Sequence, residues 1–358
     1  MVRQHQVLVV DDSAFMRKLI ADLIASDPDF TVIGAAKNGR EAVDMTLRLK
    51  PDVITMDVEM PVMDGIQALQ EIMAKCPTPV VILSSHTDEG DMLTFEALEK
   101  GAIDFVKKPS GTISVDLYKI KEVLLEKLHA ALNARILPKR SEVPVNRSGR
   151  SVGPEAPPDT MGKPAKMFRH LVAIGTSTGG PKALQRILPT LPRNFPAPIL
   201  IVQHMPPNFT RSLAQRLDAM SQIRVVEAEH EMKVEVGTAY IAPGDWHMVL
   251  HRRRSNQYVI HLHQDALRNG HRPSVDVLFD SLAEYSELER HLVILTGMGG
   301  DGAHAMKRLY DSGVRSTIAE SEETCVVFGM PKVAIELQAV RYILPLDDIP
   351  PKLMELVR

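Results

Sequence analysis

Short apolar runs separated by helix-length segments recur along most of this chain of 358 residues. The first part of the sequence holds five such runs, at Gln6–Val10, Thr31–Ala35, Asp52–Met56, Val80–Leu83 and Ile103–Val106. Strands that alternate with helices favour a doubly wound parallel sheet. This order of elements predicts an α/β domain built on a five-stranded sheet.

The second part repeats the pattern on a larger scale. Its strand candidates are Leu171–Ile174, Pro198–Val202, Arg224–Ala228, Thr238–Ala242, the pair His247–His251 and Tyr258–Leu262, and finally Leu292–Leu295 and Arg315–Ala319. They predict a second, Rossmann-like parallel sheet with one inserted β-hairpin. Between the two parts, the hydrophobic pattern disappears and prolines recur, which is typical of a flexible linker. We expect one domain over residues 1–125, the end of a helix and the linker over 126–167, and a second domain over 168–358.

Composition excludes several classes of protein. The formal net charge is −3, and the first 125 residues carry 13 basic and 20 acidic side chains, which is not the basic excess of a nucleic-acid binder. The basic cluster 251–254 lies between the two hairpin strands, where a solvated tip is expected. Two cysteines cannot build a disulfide framework, and the start of the chain has no signal-peptide or membrane-span pattern. These features predict a cytoplasmic protein without membrane insertion.

Acidic residues follow two strands of the first predicted sheet. Asp11 and Asp12 follow the first strand, and Asp57 ends the third. The carboxyl ends of parallel strands meet at one edge, and a cluster of carboxylate oxygens suits Mg²⁺. A hydroxyl at the end of the fourth strand, Ser84 with Ser85 as the alternative, and Lys108 after the fifth strand complete this edge.

Three readings of the acidic edge are open. A hydrolytic site would need a nucleophile and a general base, which these residues do not supply, and an acidic edge can also simply contact solvent. The third reading is a phosphoryl acceptor, in which Asp57 receives the group, Mg²⁺ neutralises charge, and Lys108 and Ser84 hold the phosphate oxygens.

Residues 1 to about 125 resemble a response-regulator receiver domain. The resemblance rests on Asp11-Asp12, the Asp57-x-x-Met60-Pro61-x-x-Asp64-Gly65 run, Ser84-Ser85 and Lys108-Pro109. It implies that a partner histidine kinase phosphorylates Asp57. It also implies that Asp12, Asp57 and the carbonyl of Glu59 hold the metal, with Asp11 beside them.

A glycine-rich turn around Ser177 follows the first strand of the second domain. The strand candidate Leu171–Ile174 leads into Gly175-Thr176-Ser177-Thr178-Gly179-Gly180 and then into a predicted helix over 181–188. Such a strand-to-helix turn can expose a nucleophilic hydroxyl beside free backbone N–H groups. A structural turn or a phosphate-binding turn can have the same pattern.

Ser177 needs a base and a residue that orients the base. His204 follows a buried strand, whereas His247, His251, His261 and His263 alternate in the hairpin and are expected to face solvent. Their spacing lacks a paired carboxylate or cysteine, which argues against a metal site.

Asp301 lies in a glycine-rich loop after another strand and could orient His204, although Gly-Asp-Gly also marks turns and helix caps. The backbone N–H groups of Thr178, Gly179 and Met298 are candidates for an oxyanion hole.

From about Phe168 to its end, the chain resembles the chemotaxis protein-glutamate methylesterases. The motifs that carry the resemblance are Ile174–Gly180, Gln203-His204-Met205, His271–Asp276, Leu295–Gly302 and Gly329-Met330-Pro331. Thr176 stands where the family often has alanine. The resemblance implies that Ser177, His204 and Asp301 hydrolyse γ-glutamyl methyl esters on chemoreceptors without a cofactor, with release of methanol and often with deamidation of receptor glutamines.

A receiver joined to an enzyme predicts regulation by docking, in which phosphorylation of Asp57 frees the Ser177 edge. Two other kinds of output domain are conceivable behind a receiver. A DNA-binding output domain would need a helix-turn-helix and a basic face, and the second half of the sequence has neither. A nucleotide-binding output domain could use the glycine-rich turn, but this turn lacks the Walker lysine. The nucleotide-binding output is the alternative function.

Overall fold

A computed structural model describes residues 3–84, 88–108, 114–136, 168–255, 257–314 and 316–358. The first sheet has the strand order β2-β1-β3-β4-β5, and every strand pair in it is parallel. Its strands are β1 (His5–Val10), β2 (Phe30–Ala36), β3 (Val53–Asp57), β4 (Val80–Ser84) and β5 (Asp104–Lys107). The predicted five-stranded, doubly wound sheet is confirmed.

Helices connect these strands. They are α1 (Ala14–Ala25), α2 (Gly39–Leu49), α3 (Gly65–Lys75), α4 (Asp88–Lys100) and α5 (Ser114–Leu132). Ser13, Asn38 and Asp64 cap the first three helices by accepting a backbone N–H near each helix start. Helix α5 continues past residue 125.

The second sheet has seven parallel strands in the order β14-β13-β12-β6-β7-β9-β8, beside an antiparallel hairpin of β10 and β11. Its strands are β6 (His170–Thr176), β7 (Ile199–Gln203), β8 (Arg224–Glu227), β9 (Thr238–Ile241), β10 (His247–Arg252), β11 (Tyr258–His263), β12 (Glu289–Ile294), β13 (Ser316–Glu320) and β14 (Tyr342–Leu344). The helices are α6 (Gly180–Ile187), α7 (Phe209–Met220), α8 (Val275–Ser281), α9 (Ala303–Asp311), α10 (Met330–Glu336) and α11 (Ile349–Leu356).

The second sheet confirms the predicted α/β class, because it is parallel and larger than the first, and one separate hairpin accompanies it. Strand β6 lies between β7 and β12, so the direction of the crossovers reverses at β6. Ligand sites of open parallel sheets lie at such a reversal, beyond the carboxyl ends of the strands. Ser177 follows β6 directly and therefore lies at this position.

Two sequence expectations differ from the structure. Strand β14 was not predicted, because its three residues are too few to show a pattern. His247 was expected to face solvent, but it is buried and its Nε2 lies 3.1 Å from the Ala266 carbonyl oxygen. The loop after β11 covers this end of the hairpin, while His251 stays exposed. Residues 137–167, where the linker was predicted, lie outside the described residues.

The two domains contact each other through aromatic side chains. Phe209, the first residue of α7, is fully buried. Its ring centroid lies 4.3 Å from that of Phe105 in β5 and 6.3 Å from that of Phe95 in α4. The first domain therefore packs on the second close to the loop that follows β7. None of the described helices has the length and apolar character needed to span a membrane.

Candidate active site

The turn after β6 places Ser177 in a buried position. Gly179 has a φ of 81°, a left-handed conformation that favours glycine, and the Gly180 amide donates to the Ser177 carbonyl oxygen at 2.8 Å. These features end the strand sharply and start α6. Ser177 is 1% exposed, and its Oγ has no hydrogen-bond partner among the described residues.

His204 follows β7, next to the end of β6. Its backbone N–H donates to the Thr176 carbonyl oxygen at 3.1 Å, which fixes the two strand ends side by side. Its Nε2 lies 2.9 Å from Oδ2 of Asp301. Because a carboxylate only accepts, the shared proton lies on Nε2 and the lone pair of the neutral ring is on Nδ1. Nδ1, like the Ser177 hydroxyl, has no partner among the described residues, so the two do not bond each other.

Asp301 is held by more groups than His204 alone. Its carboxylate accepts from Asn269 Nδ2 and Ser274 Oγ, each at 2.8 Å, and from the Val275 amide at 2.6 Å. Burial alone would raise the pKa of Asp301, but the hydrogen bonds from His204, Asn269 and Val275 outweigh burial and lower it. Asp301 therefore stays ionised, and its hydrogen bonds fix it in place.

A second imidazole lies against His204. The rings of His204 and His271 are stacked, with centroids 3.8 Å apart and an interplanar angle of 13°. Burial, followed by the proximity of His204, lowers the pKa of His271 to about 3. His271 is therefore neutral at physiological pH and adds no charge to the site.

The loop after β12 packs directly against Ser177. A Cβ on Gly297 would lie 2.8 Å from the Ser177 Cβ, so only glycine fits there without displacement. Within the described part of the chain, the backbone N–H groups of Thr178, Gly179 and Met298 donate no hydrogen bond to the protein. The Ser177 amide, in contrast, donates to the Thr296 carbonyl oxygen at 3.1 Å and cannot also serve an oxyanion.

A separate group of carboxylates lies at the carboxyl edge of the first sheet. Oxygen atoms of Asp11, Asp12 and Asp57 all lie within 4.8 Å of one another. Lys108 Nζ lies 2.8 Å from Asp11 Oδ2 and 2.6 Å from Asp57 Oδ2. An all-oxygen set open to solvent at Asp12 fits the ligand preference of Mg²⁺.

Asp57 and Ser84 lie on neighbouring strands at this edge. Burial raises the pKa of Asp57 to about 6, although the hydrogen bond with Lys108 acts in the opposite direction. The Glu59 amide lies 3.4 Å from Asp57 Oδ1, and Thr94 of α4 donates to the Ser84 hydroxyl at 2.7 Å. The edge thus carries a buried carboxylate, a cation and a hydroxyl that is hydrogen-bonded to α4.

Comparison with known proteins decides the family. Residues 172–353 match the CheB methylesterase family, and residues 7–116 match the response regulator receiver domain. A protein-glutamate methylesterase/protein-glutamine glutaminase of Thermotoga maritima is 48% identical over 356 residues, which cover 99% of each chain. The protein of the same description from Halalkalibacterium halodurans is 47% identical over 344 residues, or 96% of each chain.

The chain belongs to the CheB methylesterase family. The crystal structure of the Thermotoga maritima CheB methylesterase catalytic domain aligns with a TM-score of 0.51 and 48% identity, covering 53% of this chain and all of that domain. This family membership confirms the hydrolase and receiver assignments made from the motifs. The nucleotide-binding alternative is not supported, because the methylesterase match occupies the part of the chain to which that alternative was assigned.

Some contacts of the site had no signal in the sequence. Asn269 lies in an irregular loop and has no motif around it, yet it contacts Asp301. Asp104 of β5 and Lys127 near the end of α5 precede the catalytic part of the chain but reach the turn after Ser177. Thr178 Oγ1 donates to Asp104 Oδ2 at 2.5 Å and lies 3.4 Å from Lys127 Nζ. Only the packing of two domains that are distant in sequence brings these groups together.

Proposed function

We propose that this chain hydrolyses γ-glutamyl methyl esters on chemoreceptors, releasing methanol, and deamidates receptor glutamines. The observation that carries the proposal is the buried hydrogen bond between His204 and Asp301 beside the turn of Ser177. The relatives described as protein-glutamate methylesterase/protein-glutamine glutaminase support the choice of substrate.

In the proposed mechanism, Nδ1 of His204 takes the proton of the Ser177 hydroxyl as Oγ attacks the ester carbonyl carbon. Asp301 accepts from Nε2–H and stabilises the imidazolium. His204 then returns the proton to the departing methoxide, so that methanol leaves and a glutamyl-serine ester remains. Water, deprotonated by His204, cleaves this ester and restores Ser177. Because neither atom has a partner among the described residues, a side-chain movement must first bring the Ser177 hydroxyl to Nδ1 of His204.

The oxyanion of each tetrahedral intermediate needs hydrogen-bond donors. We assign this role to the backbone N–H groups of Thr178, Gly179 and Met298, which have no protein acceptor among the described residues. Removing one such donor costs roughly 10²–10³-fold in kcat in other enzymes. No cofactor takes part in these steps.

The receiver domain is the proposed input. A histidine kinase phosphorylates Asp57, with Lys108 and Ser84 binding the phosphate oxygens. Asp11, Asp12, Asp57 and the carbonyl of Glu59 would hold Mg²⁺, which neutralises charge during phosphoryl transfer. The cluster of carboxylate oxygens supports this metal assignment.

We propose that the unphosphorylated receiver inhibits the esterase by covering the turn of Ser177. The contact of Asp104 with Thr178, one residue from the nucleophile, supports this. The bond between Ser84 and Thr94 of α4 supplies a route from the phosphate to the interface, because the next residue, Phe95, contacts Phe209. Phosphate that draws Ser84 away would loosen α4 and free the site.

We propose that the receiver domain spans residues 1–125, that the helix end and linker span 126–167, and that the catalytic domain spans 168–358. We place the protein in the cytoplasm, where histidine kinases and the signalling parts of chemoreceptors meet. It binds no nucleic acid and does not insert into the membrane.

A serine-directed fluorophosphonate probe tests the proposed nucleophile. Full-length protein treated with an acyl phosphate donor should carry the probe on Ser177, identified by peptide mapping. The Ser177→Ala variant should carry none, and His204→Ala should react much more slowly because the hydroxyl has lost its base. Failure of the activated wild-type protein to react would contradict the proposal.

A further inference from the structure

The polar atoms of one buried threonine hold the backbone around Ser177. Thr296 follows β12 and is 1% exposed. Its carbonyl oxygen accepts from the Ser177 amide at 3.1 Å and from Thr176 Oγ1 at 2.9 Å. Its hydroxyl donates to the Thr178 carbonyl oxygen at 2.9 Å. The nucleophile and both of its neighbours are therefore bonded to Thr296.

Thr296 also connects this turn to two other segments. Its hydroxyl accepts from the Val327 amide at 2.9 Å. Its own amide donates to Glu320 Oε2 at 2.9 Å. Glu320 ends β13, is fully buried, and takes no part in the proposed proton transfers. Burial raises the pKa of Glu320 above its ordinary value.

We propose that Thr296 and Glu320 are positioning residues for Ser177, acting as a pair that sets the nucleophile turn. Glu320 fixes the Thr296 backbone, and Thr296 fixes residues 176–178. The inference rests on the proposed esterase function and concerns the same site.

The physical reason is that nucleophilic attack requires accurate placement of the attacking oxygen. Without the Thr296 hydroxyl, the Thr178 carbonyl oxygen and the Val327 amide would be buried without their partner. The turn would shift to satisfy them, and both the Ser177 hydroxyl and the Thr178 amide, a proposed oxyanion donor, would move with it. Shifts of about 1 Å can cost roughly 10²-fold in rate.

The first test replaces Thr296 in the full-length protein. Thr296→Val keeps the shape of the side chain and removes the hydroxyl. We expect kcat for methanol release, measured with an acyl phosphate donor, to fall by roughly 10²-fold while KM stays unchanged. Thr296→Ser keeps the hydroxyl and should retain most of the activity. The rate of fluorophosphonate labelling of Ser177 should follow kcat in both variants.

Thr317→Val is a matched control. Thr317 is a fully buried threonine of the neighbouring strand β13, and its hydroxyl accepts from the Arg341 amide at 2.9 Å. Within the described part of the chain, it makes no hydrogen bond to the Ser177 turn. This variant should keep its kcat, because the lost bond lies away from the nucleophile.

Glu320 gives a second, independent pair of variants. Glu320→Gln retains a side-chain oxygen that can accept from the Thr296 amide, so its kcat should stay near that of the wild type. Glu320→Met removes the acceptor and should lower kcat without changing KM. This pair keeps the inference testable if Thr296→Val fails to fold.

Two results would overturn the inference. One is a folded Thr296→Val or Glu320→Met variant with the wild-type kcat, and the other is a Thr296→Ser variant as impaired as Thr296→Val. Either result would leave the wild-type protein active and the proposed function intact. A wild-type protein that neither releases methanol nor reacts with the probe would instead contradict the proposed function.

Discussion

Removal of the Phe209 ring should activate the unphosphorylated enzyme. The ring is fully buried and lies between Phe105 and Phe95 of the receiver. Aromatic pairs contribute about 0.5–1.5 kcal/mol each beyond their buried area, so the two pairs would stabilise the proposed inhibited arrangement, in which the receiver covers the Ser177 turn, by about 1–3 kcal/mol. A coupling free energy of about this size changes the ratio of the inhibited to the active arrangement by about 5–150-fold. We therefore expect Phe209→Ala to raise the basal rate of methanol release within this range.

The assay compares methanol release from methylated receptor with and without an acyl phosphate donor. Rates of the variant and the wild type should converge after phosphorylation, because the proposed activation breaks this contact in both proteins. Arg211→Ala is a control on the same helix, since Arg211 is exposed and pairs with Glu227 of its own domain. A folded Phe209→Ala protein with an unchanged basal rate would refute the proposed role of this interface.

Three further predictions concern other residues. Asp301→Asn should lower kcat by roughly 10³–10⁴-fold at unchanged KM in steady-state assays, because His204 loses its orienting carboxylate. Asp57→Asn should keep the basal rate but lose activation by acyl phosphate, with activation of this variant as the contrary result. Burial lowers the pKa of His291 to about 4. The unfolded chain thus binds more protons between about pH 6.5 and 4, and the free energy of unfolding should fall by up to about 3 kcal/mol as pH drops through this window. Urea titrations should show a smaller fall for His291→Asn.

The sequence was informative wherever a chemically distinctive residue follows a buried strand. Asp57, Ser177, His204 and Asp301 each follow or end such a run, and strand ends of a parallel sheet meet at one edge. This rule explains why the sequence alone indicates both groups of candidate site residues. In the structure, His204 and Asp301 are hydrogen-bonded, and Asp57 lies beside the other carboxylates.

The sequence was uninformative wherever a contact depends on packing between distant segments. Asn269 reaches Asp301 from an irregular loop, and Phe209 is buried by another domain, so neither has a local pattern. The prediction that His247 faces solvent was wrong for the same reason, since a loop outside the hairpin covers this side chain. Strand β14 is too short to have a detectable period.

The dependence of methanol release on the Ser177 hydroxyl tests the central claim most directly. The measurement uses methylated receptor, full-length protein treated with an acyl phosphate donor, and variants matched to the wild type by thermal unfolding. We predict steady release by the wild type and only background release by Ser177→Ala. Release by a folded Ser177→Ala variant at a rate close to that of the wild type would contradict the account.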